Sequence, residues 1–154
     1  MIQRIQTIFL LLASLIMFLM LSNPIAQINV SEDLSLIFVH YKIDSIQDVD
    51  FSPISTWPVT FLIFVTIIIG FVTIFLYKRR TLQMRLCVFN IILLFGLVGL
   101  IYFFTKYILN DLEGVSSHFE WPVVIPFIAI ILNYLAFKRI QKDEILIKSY
   151  ERLR

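Results

Sequence analysis

The chain has 154 residues, 59% of them hydrophobic and 16% charged, with 15 Phe and a formal net charge of +2. Its mean hydropathy is +0.88, and since a soluble domain carries about 45–50% apolar and 25% charged residues, this composition excludes a soluble globular enzyme. A single Cys excludes a disulfide framework and any multi-Cys metal or redox motif.

A hydrocarbon core of about 30 Å takes about 20 helical residues to cross, with about 17 as the lower limit. Four apolar segments reach that length, at about residues 5–22, 58–77, 85–106 and 121–137. Their interiors hold no ionisable side chain apart from tyrosines near the edges. The expectation is an all-α integral membrane protein: one domain over residues 1–154, built as a four-transmembrane-helix bundle. Outer loops cover 23–57 and 107–120, an inner loop covers 78–84, and 138–154 extends the last helix into the cytoplasm.

The first segment has features of a signal peptide, with Arg4 before an apolar run and Pro24 and Ala26 after it. That run exceeds the usual 7–15-residue core, and Pro24 is poorly placed for cleavage after Ala26. It is read as a retained span.

Basic residues set the threading. All but Lys42 and Lys106 of the 13 Lys and Arg fall before span one, between spans two and three, or after span four. The other side collects Glu32, Asp33, Asp44, Asp48, Asp50, Asp111, Glu113 and Glu120. Both termini are therefore expected in the cytoplasm, with Trp57 and Trp121 at the outer interface and Tyr77 and Phe137 at the inner one.

Outer loop one is β-prone over residues 34–41, which suits a short β-hairpin whose exposed edge is a candidate contact. Asp44, Asp48 and Asp50 lack the Gly turn and terminal Glu of an EF-hand and read as a solvated acidic loop. His40 and His118 lie in different loops without zinc-type spacing. Asn29-Val30-Ser31 matches the glycosylation triplet.

Lipid is as apolar as Leu, so small and polar residues mark the faces on which helices pack. Span one collects Gln6, Thr7, Ala13 and Ser14 on adjoining stripes; span two aligns Thr66, Gly70 and Thr73; span four aligns Pro122, Pro126, Ala129 and Asn133, with Ala136 nearby. In span three Gly96 and Gly99 lie together while Asn90 points well away, as in a helix contacted on two sides. Pro126 is expected to remove a backbone hydrogen bond and bend the outer end of span four. Asn90 lies five residues inside Arg85 and Asn133 five inside Lys138, which puts both about 7–8 Å from the inner boundary. Asn90, Asn133, Thr66 and Thr73 are the expected interhelical polar contacts, with an Asn90–Asn133 hydrogen bond contributing about 0.6 and up to about 1.7 kcal/mol. Cys87 reads as a small packing residue.

Spans two and four share a Trp-Pro-Val opening and an aromatic-Lys-Arg close. A duplicated hairpin and two independent helices using the same interface anchors both account for it. After Phe137 no Gly or Pro interrupts the tail. Ile145, Leu146, Ser149, Tyr150 and Leu153 form one stripe, and Glu144 precedes Lys148 by four, which supports the helix. Such a face suits anionic headgroups, a cytoplasmic partner, or the protein's own inner loop.

Three stretches carry a family resemblance: Met1-Ile2-Gln3-Arg4-Ile5-Gln6-Thr7, then the inner loop from Tyr77 to Cys87, then Lys138-Arg139-Ile140-Gln141-Lys142-Asp143-Glu144 with the close from Ser149 to Arg154. They resemble an uncharacterised four-span inner-membrane protein family of Bacteroidota, a domain of unknown function. The resemblance implies a bacterial inner membrane and supplies no catalytic residue. It draws attention to the inner face, to Arg4, Gln83, Arg85, Lys142, Asp143 and Glu144, with Leu146 and Tyr150 as partner contacts on the last helix.

No span interior contains a carboxylate, Lys or His of the kind proton relays need, and no HExxH, phosphate loop or Rossmann glycine pattern occurs. The expected function is a non-catalytic accessory or scaffold subunit of a membrane protein complex. It uses neither cofactor nor metal, and its partners are membrane lipids and other integral membrane proteins, not nucleic acid. The alternative is a small oligomeric transporter or lipid-binding membrane protein.

Overall fold

The computed structural model describes residues 3–31, 34–45, 54–77, 79–111 and 116–152, with side chains placed at 6–27, 36–44, 54–77, 79–107 and 118–146. Among these residues four helices follow in chain order: α1 (Gln3–Leu19), α2 (Trp57–Phe75), α3 (Arg80–Asp111) and α4 (Ile125–Arg152). Five strands accompany them: β1 (Ala26–Ser31), β2 (Leu34–Phe38), β3 (Lys42–Ser45), β4 (Ile54–Ser55) and β5 (Ser116–Phe119). The helices α2, α3 and α4 are long and apolar enough to cross a membrane; α1 is a shorter apolar helix of 17 residues. Each helix packs on two neighbours, in the cyclic order α1, α2, α3, α4.

Local chemistry sets where the helices stop. The last carbonyls of a helix have no partner inside it, and at the end of α1 Asn23 Nδ2 donates to Leu19 O at 3.0 Å before Pro24 turns the chain extended. The start of α2 has Pro58 in its first turn, where the missing N–H costs nothing.

Three helix ends differ from the sequence expectation. The inner loop expected at 78–84 contracts, because α3 starts at Arg80. Lys and Arg favour helix, so a basic run does not mark where a helix ends. At its other end α3 continues to Asp111, into what was expected to be outer loop. Pro126 does not bend a span. Residues Trp121–Val124 form a 3₁₀ turn and α4 begins at Ile125, so Pro126 falls in the first turn. Ile125 N–H already bonds Pro122 O, the carbonyl that an N–H at position 126 would have used.

The outer loops build more than the expected hairpin. Their strands form one antiparallel sheet in the order β4-β3-β2-β1-β5, with β5 supplied by the second outer loop. In β1, Ala26 stands opposite Phe38 of β2 on one side and Phe119 of β5 on the other. The ladder continues past the strand ends through Ile25 N–H to Phe38 O at 2.7 Å and Glu120 N–H to Ile25 O at 3.1 Å. Side chains alternate across a strand, and Leu36 and Phe38 point inward with Ala26 and Ile43, all fully buried. They join Met17, Met20, Val59, Ile63, Leu97 and Ile101 in one apolar cluster. The sheet is thus a cap continuous with the core of the bundle, and the Phe38 and Phe104 rings meet edge to face at 6.4 Å between centroids.

The cap is fastened to α2 through a single turn. Carbonyls of residues 39–41, between β2 and β3, accept from Thr56 Oγ1 (Val39 O and His40 O, both 3.2 Å), Thr60 Oγ1 (His40 O, 2.8 Å) and Thr56 N–H (Tyr41 O, 3.1 Å). The His40 ring sits edge-on to Tyr41, and its Nδ1 is buried without a hydrogen-bond partner among the described residues. Burial holds the His40 imidazole below its ordinary 6.5. The unfolded chain therefore takes up a proton that the fold resists. The contribution is complete above pH 6.5 and is lost as pH falls through the folded value. The adjoining Lys42 bonds the Asp44 carboxylate, which holds its ammonium above the ordinary 10.5 and so outside that window. Thermal unfolding in mild detergent should shift to lower temperature between about pH 7.5 and 5. The His40→Gln variant should show a shallower slope; an unchanged slope would remove His40 from the account.

Candidate functional site

The interior divides into two apolar clusters. The outer one includes Met17, Ile67, Leu94 and Ala129; the inner one is Leu10, Cys87, Ala136 and Ile140. On α1, α3 and α4 a buried polar residue falls between a member of each, namely Ser14, Asn90 and Asn133, and on α2 the buried Gly70 follows Ile67 of the outer cluster by one turn. The four residues meet in two pairs, Ser14 with Gly70 between α1 and α2 and Asn90 with Asn133 between α3 and α4.

Two contacts define these pairs. Asn90 Nδ2 donates to Asn133 Oδ1 at 3.3 Å, and Asn133 Nδ2 donates to Ala129 O at 2.8 Å. Both amides are at least 96% buried. Between α1 and α2, Gly70 lets Ser14 approach so closely that a Cβ at position 70 would lie 2.3 Å from Ser14 Oγ, which itself donates to Leu10 O at 3.0 Å. Thr66 and Thr73 differ from expectation. Their hydroxyls return to their own helix, to Ile63 O at 2.8 Å and Ile69 O at 2.6 Å. In an apolar surrounding a hydroxyl takes the nearest free lone pair, and that is one turn back.

Span three also differs. Its buried face is Cys87, Asn90, Leu94, Leu97, Ile101 and Thr105, while Gly96 and Gly99 are exposed. A Cβ at Gly99 would meet nothing within 4 Å and one at Gly96 only Leu62 Cδ2 at 3.9 Å, so neither glycine marks a close approach of helices.

A second polar cluster closes the inner end. Gln83 is buried and its Nε2 donates across to Thr73 O at 3.1 Å, filling an orphan carbonyl of the last turn of α2. Gln6 of α1 donates to the Asp143 carboxylate of α4. From α3, Arg80 Nη1 donates to Asp143 O at 3.4 Å and Thr81 Oγ1 to Glu144 Oε1 at 3.3 Å. Two helices, α1 and α3, thus hold the point where α4 leaves the bundle. A cavity of about 310 Å³ beside it has Gln6, Thr7, Arg80 and Gln83 on its polar side.

Of the inner-face residues named from the sequence, Gln83, Asp143 and Glu144 belong to this cluster. Arg85 and Lys142 are exposed beside it. Leu146 is also exposed, and α4 carries Tyr150 on the same extension, with its side chain outside the described residues, as is that of Arg4 on α1. Asp48, Asp50 and Leu153 also lie outside the described residues, as do the side chains of Asn29 and Ser31. Among the described residues no three His, Cys, Asp or Glu come together as metal ligands. Sequence reasoning missed Arg80 and Thr81. A basic residue in a basic run and a Thr near a helix start carry no signal until α4 is placed beside them.

The two pairs yield two tests. Asn90→Leu and Asn133→Leu should each lower stability in detergent, and the double variant should lose less than their sum by about 0.6 kcal/mol. Strict additivity would separate the two amides. Gly70→Ala should cost about 1 kcal/mol by overpacking. Ser14→Ala in the same chain should recover most of it, because the next neighbour of the new Cβ is Ser14 Cβ at 3.5 Å.

Comparison with curated proteins finds no match. A family model described as a domain of unknown function (DUF4293) matches residues 2–153, taking in the first outer loop that lies beyond the stretches carrying the resemblance. With nearly its whole length matched, the chain belongs to the family of the domain of unknown function DUF4293.

Proposed function

We propose that the protein is a non-catalytic accessory or scaffold subunit of a bacterial inner-membrane complex. Its four helices span the bilayer with both termini in the cytoplasm, and the sheet caps the outer side. Segregation of Lys and Arg to the end bearing α1's start, the α2–α3 turn and the α4 extension supports this threading.

The observation that carries the reading is the anchoring of α4. It runs unbroken to Arg152, and contacts from Gln6, Arg80 and Thr81 fix the root of its extension. Polar residues placed to orient a helix beyond its own bundle suit an arm presented to a partner. A photoreactive residue in place of Leu146 in native membranes should crosslink to one or a few integral membrane proteins. A chain ending after Leu146 keeps Asp143 and Glu144 and should retain its unfolding temperature while losing those proteins on purification. Crosslinks to lipid alone, with the full chain eluting alone, would overturn the scaffold reading. A second reading, a lipid-binding membrane protein, is favoured by a groove between α3 and α4.

A further inference from the structure

Along the inner halves of α3 and α4 runs an open groove of about 730 Å³. Its walls are Val88, Phe89 and Ile92 from α3 and Phe137 from α4, and towards its inner end it passes Arg85 and Gln141 to reach Thr81 and Glu144. Arg85 to Ile92 is seven residues, or about 10 Å along the helix, most of the depth of one leaflet's hydrocarbon. The groove adjoins a second recess of about 430 Å³, lined by Arg79, Arg80, Thr81, Leu82 and Arg85. Thr81 and Arg85 belong to both. An apolar groove and a three-arginine recess therefore lie side by side, on either side of Thr81 and Arg85.

Its charge is uncompensated. Arg79 and Arg85 are exposed, and among the described residues neither has an ion-pair partner. The recess surrounds the start of α3, whose first turn carries no acidic residue, so the helix dipole adds to the guanidinium charge. Glu144 is the one acid on either lining. It accepts from Thr81, which leaves the arginines in excess.

We infer that this surface binds one anionic glycerophospholipid of the inner leaflet, with an acyl chain in the α3–α4 groove and its phosphodiester on Arg79, Arg80 and Arg85. A basic recess between transmembrane helices at the cytoplasmic level recognises such headgroups, and guanidinium forks match phosphate oxygens. A choline or ethanolamine headgroup would set a second cation among the arginines, so zwitterionic lipids bind less well. The inference deepens the lipid-binding reading and needs the inner end of the bundle to lie at headgroup level. It stands whether or not the α4 arm meets a partner.

The test is native mass spectrometry on the full chain in mild detergent, titrated with phosphatidylglycerol, phosphatidylcholine or soluble glycerol phosphate. Phosphatidylglycerol should form a one-to-one adduct about tenfold more readily than phosphatidylcholine, and each of Arg79→Gln and Arg85→Gln should weaken it about fivefold. Val88→Trp with Ile92→Trp should also weaken it, by filling the groove, with all arginines in place. Equal binding of the two lipids, or no response to the arginine variants, would overturn the site. Glycerol phosphate binding as tightly as the lipid would overturn the acyl-chain half. Where a variant unfolds, the unmodified chain decides the matter. A phosphatidylglycerol photoreactive on its acyl chain should label residues 84–92 and 137–145, and labelling elsewhere alone rejects the groove. Loss of lipid with retained crosslinks from position 146 would count against this site and leave the scaffold reading intact, and the reverse pattern would do the opposite.

Discussion

In an apolar slab every backbone N–H and C=O has to find its partner inside the protein, and the fold follows from where helices fail to supply one. Within a helix the requirement is met by the ladder itself. At the ends it is met by particular side chains in a chain that is 59% hydrophobic. Asn23 closes α1, Gln83 closes α2 from the neighbouring helix, and Thr56 and Thr60 serve the carbonyls of the turn above α2. Even the outer start of α4 obeys it, since a 3₁₀ bond to Pro122 O makes the missing N–H of Pro126 harmless. The connection between α2 and α3 can be only a few residues long because Gln83 does the capping that a longer loop would otherwise do.

The same constraint decides which face each helix buries. Hydrophobicity gives no preference among aliphatic faces in lipid, whereas an amide facing hydrocarbon unpaired costs several kcal/mol. Helix α3 poses the choice openly, since Asn90 and the Gly96–Gly99 pair lie on different sides. It buries Asn90 and Thr105 and exposes both glycines. The energy given up by not packing two glycines is small beside the cost of leaving Asn90 in lipid. On α2 the preference coincides with close packing, because Gly70 is buried and admits Ser14.

These considerations also explain what was legible in the letters. Helix count follows from run length, since a run of apolar residues needs no partner to declare itself. The depth of Asn90 and Asn133 follows from counting inward from Arg85 and Lys138, and their amides lie 3.3 Å apart. The start of α3 at Arg80 is not legible from charge, because a basic run carries no information on the hydrogen-bond pattern. The sheet was legible only as a local β-prone stretch. Its fifth strand, Ser116–Phe119, is four residues long and polar, and only its distant pairing with β1 makes it a strand. At the inner end Gln83, Asp143 and Glu144 stood out by resemblance, while their partners Arg80 and Thr81 became meaningful once α3 and α4 were side by side.

The two ends of the bundle are held by different means, and that difference ranks them in stability. The outer end has a five-stranded ladder over a core whose members are fully buried, so opening it breaks many bonds at once and exposes apolar surface. Beyond the small apolar cluster of Leu10, Cys87, Ala136 and Ile140, the inner end is held by single side-chain bonds, two of them at 3.3–3.4 Å and partly open to solvent. Backbone bonds that share a ladder fail together, whereas isolated side-chain bonds fail singly and at lower free energy. Local rearrangement therefore starts at the inner end. Residues at that end, Arg80, Thr81 and Glu144 among them, also border the α3–α4 surface. A ligand or partner arriving there meets the part of the molecule that adjusts at least cost, while the capped outer end holds the four helices in register.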